Sequence, residues 1–185
     1  MKIQIIIGST RPGRVGPQIA QWVLATMPKE EQISYEIVDI ADYHLPLFDE
    51  PKHPSTGEYS KEHTKVWSKK INEADAYIFV TPEYNAGYPA SLKNAIDFLY
   101  HEWTAKPALI VSYGIRGGQG ASAQLKQVLE RLKMKPTELS PAFSVSADMH
   151  DEAGQIKNIS ESFESYEAEI KNANEQLLKI ANSKE

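Results

Sequence analysis

The sequence has no cysteine. A disulfide, a thiolate metal site, a cysteine nucleophile and a redox Cys-x-x-Cys pair are therefore all excluded, and any redox chemistry must come from a bound cofactor. No apolar run approaches the roughly 18 residues that a membrane span needs. The chain opens Met-Lys and enters a strand-like run at once, so no signal peptide is expected. Net positive charge is also lacking: 20 Lys and Arg stand against 25 Asp and Glu, a net charge of −5. That balance argues against a general affinity for nucleic acid or anionic membrane. What remains is an ordinary apolar share, 41% of 185 residues, enough for one domain with a full core. A single cytoplasmic domain, residues 1–185, is the expectation.

Short apolar runs alternate with helical periodicities. Ile3–Ile7 reads as a buried strand ending at Gly8. Pro17 suits a first helical turn because its missing N–H has no helical partner, and Ile19, Val23 and Met27 continue the helix until Pro28. Ile33–Ile40 reads as a second strand, 41–60 as a long surface loop and Lys61–Asn72 as a helix. Ala76–Val80 is a third strand, Ser91–Tyr100 a helix and Ala108–Val111 a fourth strand. Ala121–Leu132 is a helix, Pro141–Val145 a fifth strand, and Phe163–Ile180 a terminal amphipathic helix. Strands that are apolar throughout, separated by helices, predict an α/β fold with a parallel sheet covered on both faces. Five such units suit the flavodoxin-like doubly wound order 2-1-3-4-5. In that order the loops after strands 1, 3 and 4 meet at the carboxyl edge.

Those three loops carry the unusual residues. After strand 1, Gly8-Ser-Thr-Arg-Pro-Gly-Arg-Val-Gly16 leads into a helix. Its backbone N–H groups and the helix dipole make an anion site, which Ser9, Thr10, Arg11 and Arg14 can reinforce. The loop lacks the Lys-Ser/Thr ending of a Walker A motif, and Gly8, Gly13 and Gly16 lack the dinucleotide spacing. A phosphate monoester such as that of FMN fits without further parts. After strand 3, Thr81-Pro-Glu-Tyr-Asn85 keeps the chain extended at Pro82. Glu83, Tyr84 and Asn85 then offer consecutive N–H groups and an amide to a ring edge. Glu83 reads equally well as an acid at a helix end, and Tyr84 as a packed surface aromatic. After strand 4, Ser112-Tyr-Gly-Ile-Arg-Gly-Gly118 lets backbone approach a ligand closely. Arg14 and Arg116 are candidates to hold a further phosphate at this edge. Lys93 and Asp97 read as an i,i+4 ion pair. Tyr100, His101 and Trp103 read as a subunit contact. His44, His53 and His63 share no metal-ligand spacing, and no metal is assigned.

The motifs Gly8-Ser-Thr-Arg11, Thr81-Pro-Glu-Tyr-Asn85 and Ser91-Leu-Lys-Asn-Ala-Ile-Asp97 together resemble the NADPH-dependent FMN reductase family, over about residues 3–145. The resemblance implies a flavodoxin-like fold, non-covalent FMN, NADPH or NADH as donor, a small-molecule electron acceptor and a homodimer or homotetramer. Carried over by position, Ser9 and Arg11 hold the FMN phosphate. Pro82, Glu83, Tyr84 and Asn85 line the ring, and Ser112, Tyr113 and Gly114 close its third side. Where many relatives have a small polar residue and an Asn, this chain has Arg14-Val-Gly16, so Gln18 and the backbone of Val15 and Gly16 stand in. The flavin carries the hydride chemistry, so no catalytic side chain is assigned, and ping-pong transfer to quinones, azo compounds or free flavin is expected. Two alternatives stay open: a flavodoxin-type carrier that does not oxidise NAD(P)H, and a flavin-free binding module of the same fold.

Overall fold

The computed structural model describes residues 1–183. Five lanes of parallel strand form one sheet, in the order β2-β1-β3-β4-β5, with β6 also beside β4. The strands are β1 (Lys2–Ile7), β2 (Ser34–Asp39), β3 (Ala76–Pro82), β4 (Pro107–Gly114), β5 (Lys135–Pro136) and β6 (Ala142–Ser144). The helices are α1 (Gly16–Thr26), α2 (Glu62–Asn72), α3 (Ala90–Asp97), α4 (Gln119–Arg131), α5 (Ile159–Ser162) and α6 (Glu167–Asn182). This is the doubly wound order expected from the alternation of patterns.

The sheet separates two cores. On one face Ile3, Ile5, Ile78 and Val111 pack under α1 and α6 with Trp22, Phe143 and Phe163. On the other Ile6, Tyr77, Phe79 and Ile110 pack under α2, α3 and α4 with Trp67 and Trp103. Burial on both faces explains why β3 is apolar along its length and shows no alternation.

Four expectations are corrected. The fifth lane is broken into β5 and β6. Pro107 and Ala108 pair with Lys135 and Pro136, and Ser112 to Gly114 pair with Ala142 to Ser144; Thr137 still donates to the Ala108 carbonyl and Pro141 still accepts from the Ser112 N–H, so the break lies at residues 138–140. Pro136 and Pro141 lack an N–H, which is tolerated at a sheet edge. Ser112, Tyr113 and Gly114 are the last residues of β4, not a loop, because β6 gives them partners. The terminal helix begins only at Glu167; Phe163 and Tyr166 precede it and stack on Phe143. Trp103 is a core residue 1% exposed, set between Tyr77 and Phe79, where it satisfies the Ile96 carbonyl at 3.1 Å.

The 41–60 segment is anchored more firmly than its composition suggests. Glu50 is buried, and its carboxylate accepts the N–H groups of Ser60 and Lys61, each at 2.9 Å, and the Ser60 hydroxyl at 2.8 Å. Lys61 is the N-cap of α2, so Glu50 holds the start of that helix from eleven residues upstream. Asn94 on α3 donates to the Pro46 carbonyl and accepts from the Phe48 N–H, tying down the loop's middle.

Candidate functional site

The carboxyl edge of the sheet brings the three loops together. β1 ends at Ile7, and the Gly8 N–H still bonds the Val80 carbonyl at 2.9 Å. The chain then turns through Arg11–Arg14 and enters α1. Val15 is the N-cap and supplies no side-chain cap. Pro17 has no N–H to satisfy. The N–H groups of Val15, Gly16 and Gln18 take no partner among the described residues. An uncapped helix start of this kind presents donors and positive potential to an anion.

Two hydroxyls converge there. A Cβ on Gly16 would stand 3.0 Å from the Tyr113 hydroxyl and 3.1 Å from the Ser9 hydroxyl, so only glycine lets these groups meet the helix end. Ser9 and Tyr113 lie 3.5 Å apart through their oxygens, and both residues are buried. Burial raises the Tyr113 pKa to about 12, against the Ser9 hydrogen bond and the nearby Arg14 and Arg11 charges. The phenol is therefore a proton donor at neutral pH. Sequence reasoning placed Tyr113 at a ring edge; the fold puts its hydroxyl beside the anion loop.

Arg11 is exposed, and its guanidinium has no partner among the described residues. Arg14 is committed. Its fork meets Asp39 at the end of β2, Nη1–Oδ1 2.7 Å and Nη2–Oδ2 2.5 Å, and Nη1 also donates to the Ser9 carbonyl. Both side chains of the pair are only 16% exposed. Gln18 is committed as well: its amide accepts the Ile156 N–H at 2.9 Å and donates to the Ile156 carbonyl at 3.3 Å. Spacing alone could not show either partner, because they arrive from β2 and from the 150s.

The loop after β3 is a tight turn. Tyr84 and Gly87 exchange N–H···O bonds of 2.8 and 3.1 Å, and Asn85 and Ala86 between them have φ of 51° and 63°. Positive φ at both central positions defines a type I′ turn. The Glu83 N–H goes to the Tyr113 carbonyl at 3.0 Å. Of the three N–H groups expected to face a ring, only that of Asn85 has no partner among the described residues. Tyr84 is 38% exposed at the rim.

Glu83 proves to be the helix-end acid. Its Oε2 accepts the Ala121 N–H at 3.1 Å in the first turn of α4. A Cβ on Gly120 would stand 2.9 Å from that Oε2 and from the Ala86 carbonyl, so the β3 turn seats directly on α4. Glu83→Ala is expected to lower stability by about 1 kcal/mol through loss of this cap, and Glu83→Gln, which keeps an acceptor oxygen, by less. Thermal melts of the two variants check this order.

After β4 the chain turns back through Gly117 and Gly118. Ser112 is buried and its hydroxyl donates to the Gly117 carbonyl at 2.9 Å, so it shapes this turn from within. A cleft of about 350 Å³ is lined by Glu83, Gly114, Ile115, Arg116 and Gly118. Ile115 is 83% exposed at its mouth. Lys93 and Asp97 form the expected ion pair at 2.5 Å on α3. Among the described residues no group of three or more His, Asp or Glu is placed to hold a metal, and no helix is long and apolar enough to cross a membrane.

These parts fit FMN. The uncapped α1 start and two hydroxyls suit a phosphate, and the Asn85 N–H and the cleft beside Gly114 suit a flat polar-edged ring. Comparison with known proteins points the same way. The family model for NADPH-dependent FMN reductase matches residues 1–148. The NAD(P)H-dependent FMN reductase of Schizosaccharomyces pombe is 50% identical over 149 residues, 80% of this chain and 74% of that protein. A quinone reductase of Pseudomonas putida is 30% identical over 164 residues, 84% of each chain. In fold, the flavoenzyme NAD(P)H:(acceptor) oxidoreductase of Paracoccus denitrificans superposes with a TM-score of 0.73 at 21% identity, covering 96% of this chain and 97% of that one. The chain is a member of the NADPH-dependent FMN reductase family, an FMN-dependent oxidoreductase that uses NAD(P)H.

Proposed function

We propose that the chain holds FMN with its phosphate on the start of α1 and its ring against the 83–85 turn and Gly114, and passes two electrons from NAD(P)H to quinones, azo compounds or free flavin. The observation that carries this reading is the convergence of an uncapped helix, a buried phenol and two braced loops on one sheet edge. Bound FMN supplies the hydride acceptance and two-electron return that no side chain here can supply. The protein's part is placement. The N–H groups of Gly16 and Gln18 and the Tyr113 hydroxyl bind the phosphate, with exposed Arg11 closing over it. The Asn85 N–H meets the polar edge of the ring, and Tyr84 walls it.

Donor and acceptor use the same open face in turn. Initial rates with NADPH and a quinone varied together should give parallel double-reciprocal lines. Converging lines would require both substrates bound at once and contradict a shared face. Arg14 is taken up by Asp39, so exposed Arg116 remains for the extra phosphate of NADPH. Arg116→Ala should raise KM for NADPH several-fold more than KM for NADH; equal effects would remove it from that role.

The protein acts in the cytoplasm as a homodimer or homotetramer, with neither nucleic acid nor membrane as partner. The supporting surface is a cleft of about 460 Å³ whose lining includes Phe48, Leu99 and Tyr100 together with His53, Asp97 and Arg131; Leu47, next in sequence to Phe48, is 85% exposed.

A further inference from the structure

The Arg14–Asp39 pair has a geometry that a surface ion pair does not need. Asp39 is the last residue of β2 and lies opposite Ile7, the last residue of β1. Its two oxygens receive both Nη atoms of Arg14 in a parallel fork, and Oδ1 also accepts the Ala41 N–H at 3.0 Å. The same Arg14 Nη1 donates to the Ser9 carbonyl. Ser9 is fully buried and its hydroxyl faces Tyr113. One guanidinium thus spans from the sheet edge to the middle of the anion loop. A planar fork held at both ends has little freedom, and lysine cannot reproduce it.

Resting on the assignment of this loop to the FMN phosphate, we infer that Asp39 is a positioning residue. Acting through Arg14, it fixes the Ser9 carbonyl and so holds the Ser9–Gly16 segment in the shape that exposes the α1 N–H groups. Asp39 touches no ligand.

Apoprotein affinities for FMN and for riboflavin separate these roles, because the two ligands differ only in the phosphate. Asp39→Asn should weaken FMN binding roughly tenfold to a hundredfold, the range expected when a charge-assisted fork is lost. Riboflavin binding should change by less than about threefold on the same scale. Arg14→Lys, which keeps the positive charge and loses the fork, should behave like Asp39→Asn, and the double variant should be no weaker than either single one. Tighter FMN binding by Asp39→Asn would overturn the inference, since Arg14 would then be a phosphate ligand held back by Asp39. An unchanged ratio of riboflavin to FMN affinity, or equal losses for both, would also overturn it. A wild-type apoprotein that binds the two flavins equally would instead refute the phosphate assignment itself. Thermal melts of the apoproteins confirm that the variants compared are folded.

Discussion

Gly118→Ala should abolish flavin retention and cost the fold on the order of 2–4 kcal/mol. Gly118 has φ +74°, and a Cβ there would lie 2.9 Å from both the N and the O of Tyr113. Two penalties add. An alanine in the left-handed region costs about 1 kcal/mol. The overlap is with main chain, which cannot rotate away as a side chain can. Relief requires Tyr113 to move off the β4 line, yet Tyr113 is held on one side by Pro82 and on the other by Phe143. The displacement would carry its hydroxyl away from Ser9 and Gly16 and pull its carbonyl from the Glu83 N–H. Phosphate loop and ring turn are thus disturbed by one methyl group. Gel filtration after reconstitution with FMN, read at the flavin bands, checks the loss. A variant that retains FMN with wild-type affinity would show that the Tyr113–Gly118 contact is irrelevant to the site.

Glu50→Ala should destabilise the protein by about 3 kcal/mol at neutral pH while leaving flavin affinity close to wild type. Burial opposes ionisation of Glu50, but the N–H groups of Ser60 and Lys61 and the Ser60 hydroxyl outweigh it and hold its pKa near 2. The sign follows from a folded pKa below the ordinary value of 4.5. The stabilisation is fully present above about pH 4.5 and is lost as pH falls toward about 2. The gap between wild type and variant should therefore narrow across that window. Urea unfolding at several pH values measures it, and a gap that stayed constant down to pH 2 would mean that Glu50 stabilises by packing and not by its charge.

The sheet order was legible because β1, β3 and β4 are short apolar runs that meet Gly or Pro at an end, and because the helical periods between them are long. The broken fifth lane was not, since Lys135–Pro136 carries no strand pattern and forms only because the β4 edge is free beside it. At the site, the three loops could be located from residue types, but the partners within them could not. Asn85 and Ala86 form a type I′ turn that asparagine favours and alanine does not. The turn is imposed by the Tyr84–Gly87 bonds and the seat on α4. Glu83 offered two readings in sequence, and only the arrival of Gly120 and Ala121 selects the helix cap. Arg14 looked like a phosphate ligand until β2 delivered Asp39 beside it. In each case the missing information is which element arrives from elsewhere in the chain, and no local pattern encodes it.

The central claim is that the three loops hold an FMN which NAD(P)H can reduce. The direct test is the absorbance spectrum of the protein reconstituted with FMN and desalted, before and after anaerobic addition of NADPH. The account predicts twin flavin bands that stay with the protein and bleach on mixing. Bands that persist under NADPH would mark an electron carrier, and protein that elutes without flavin would contradict the assignment of all three loops.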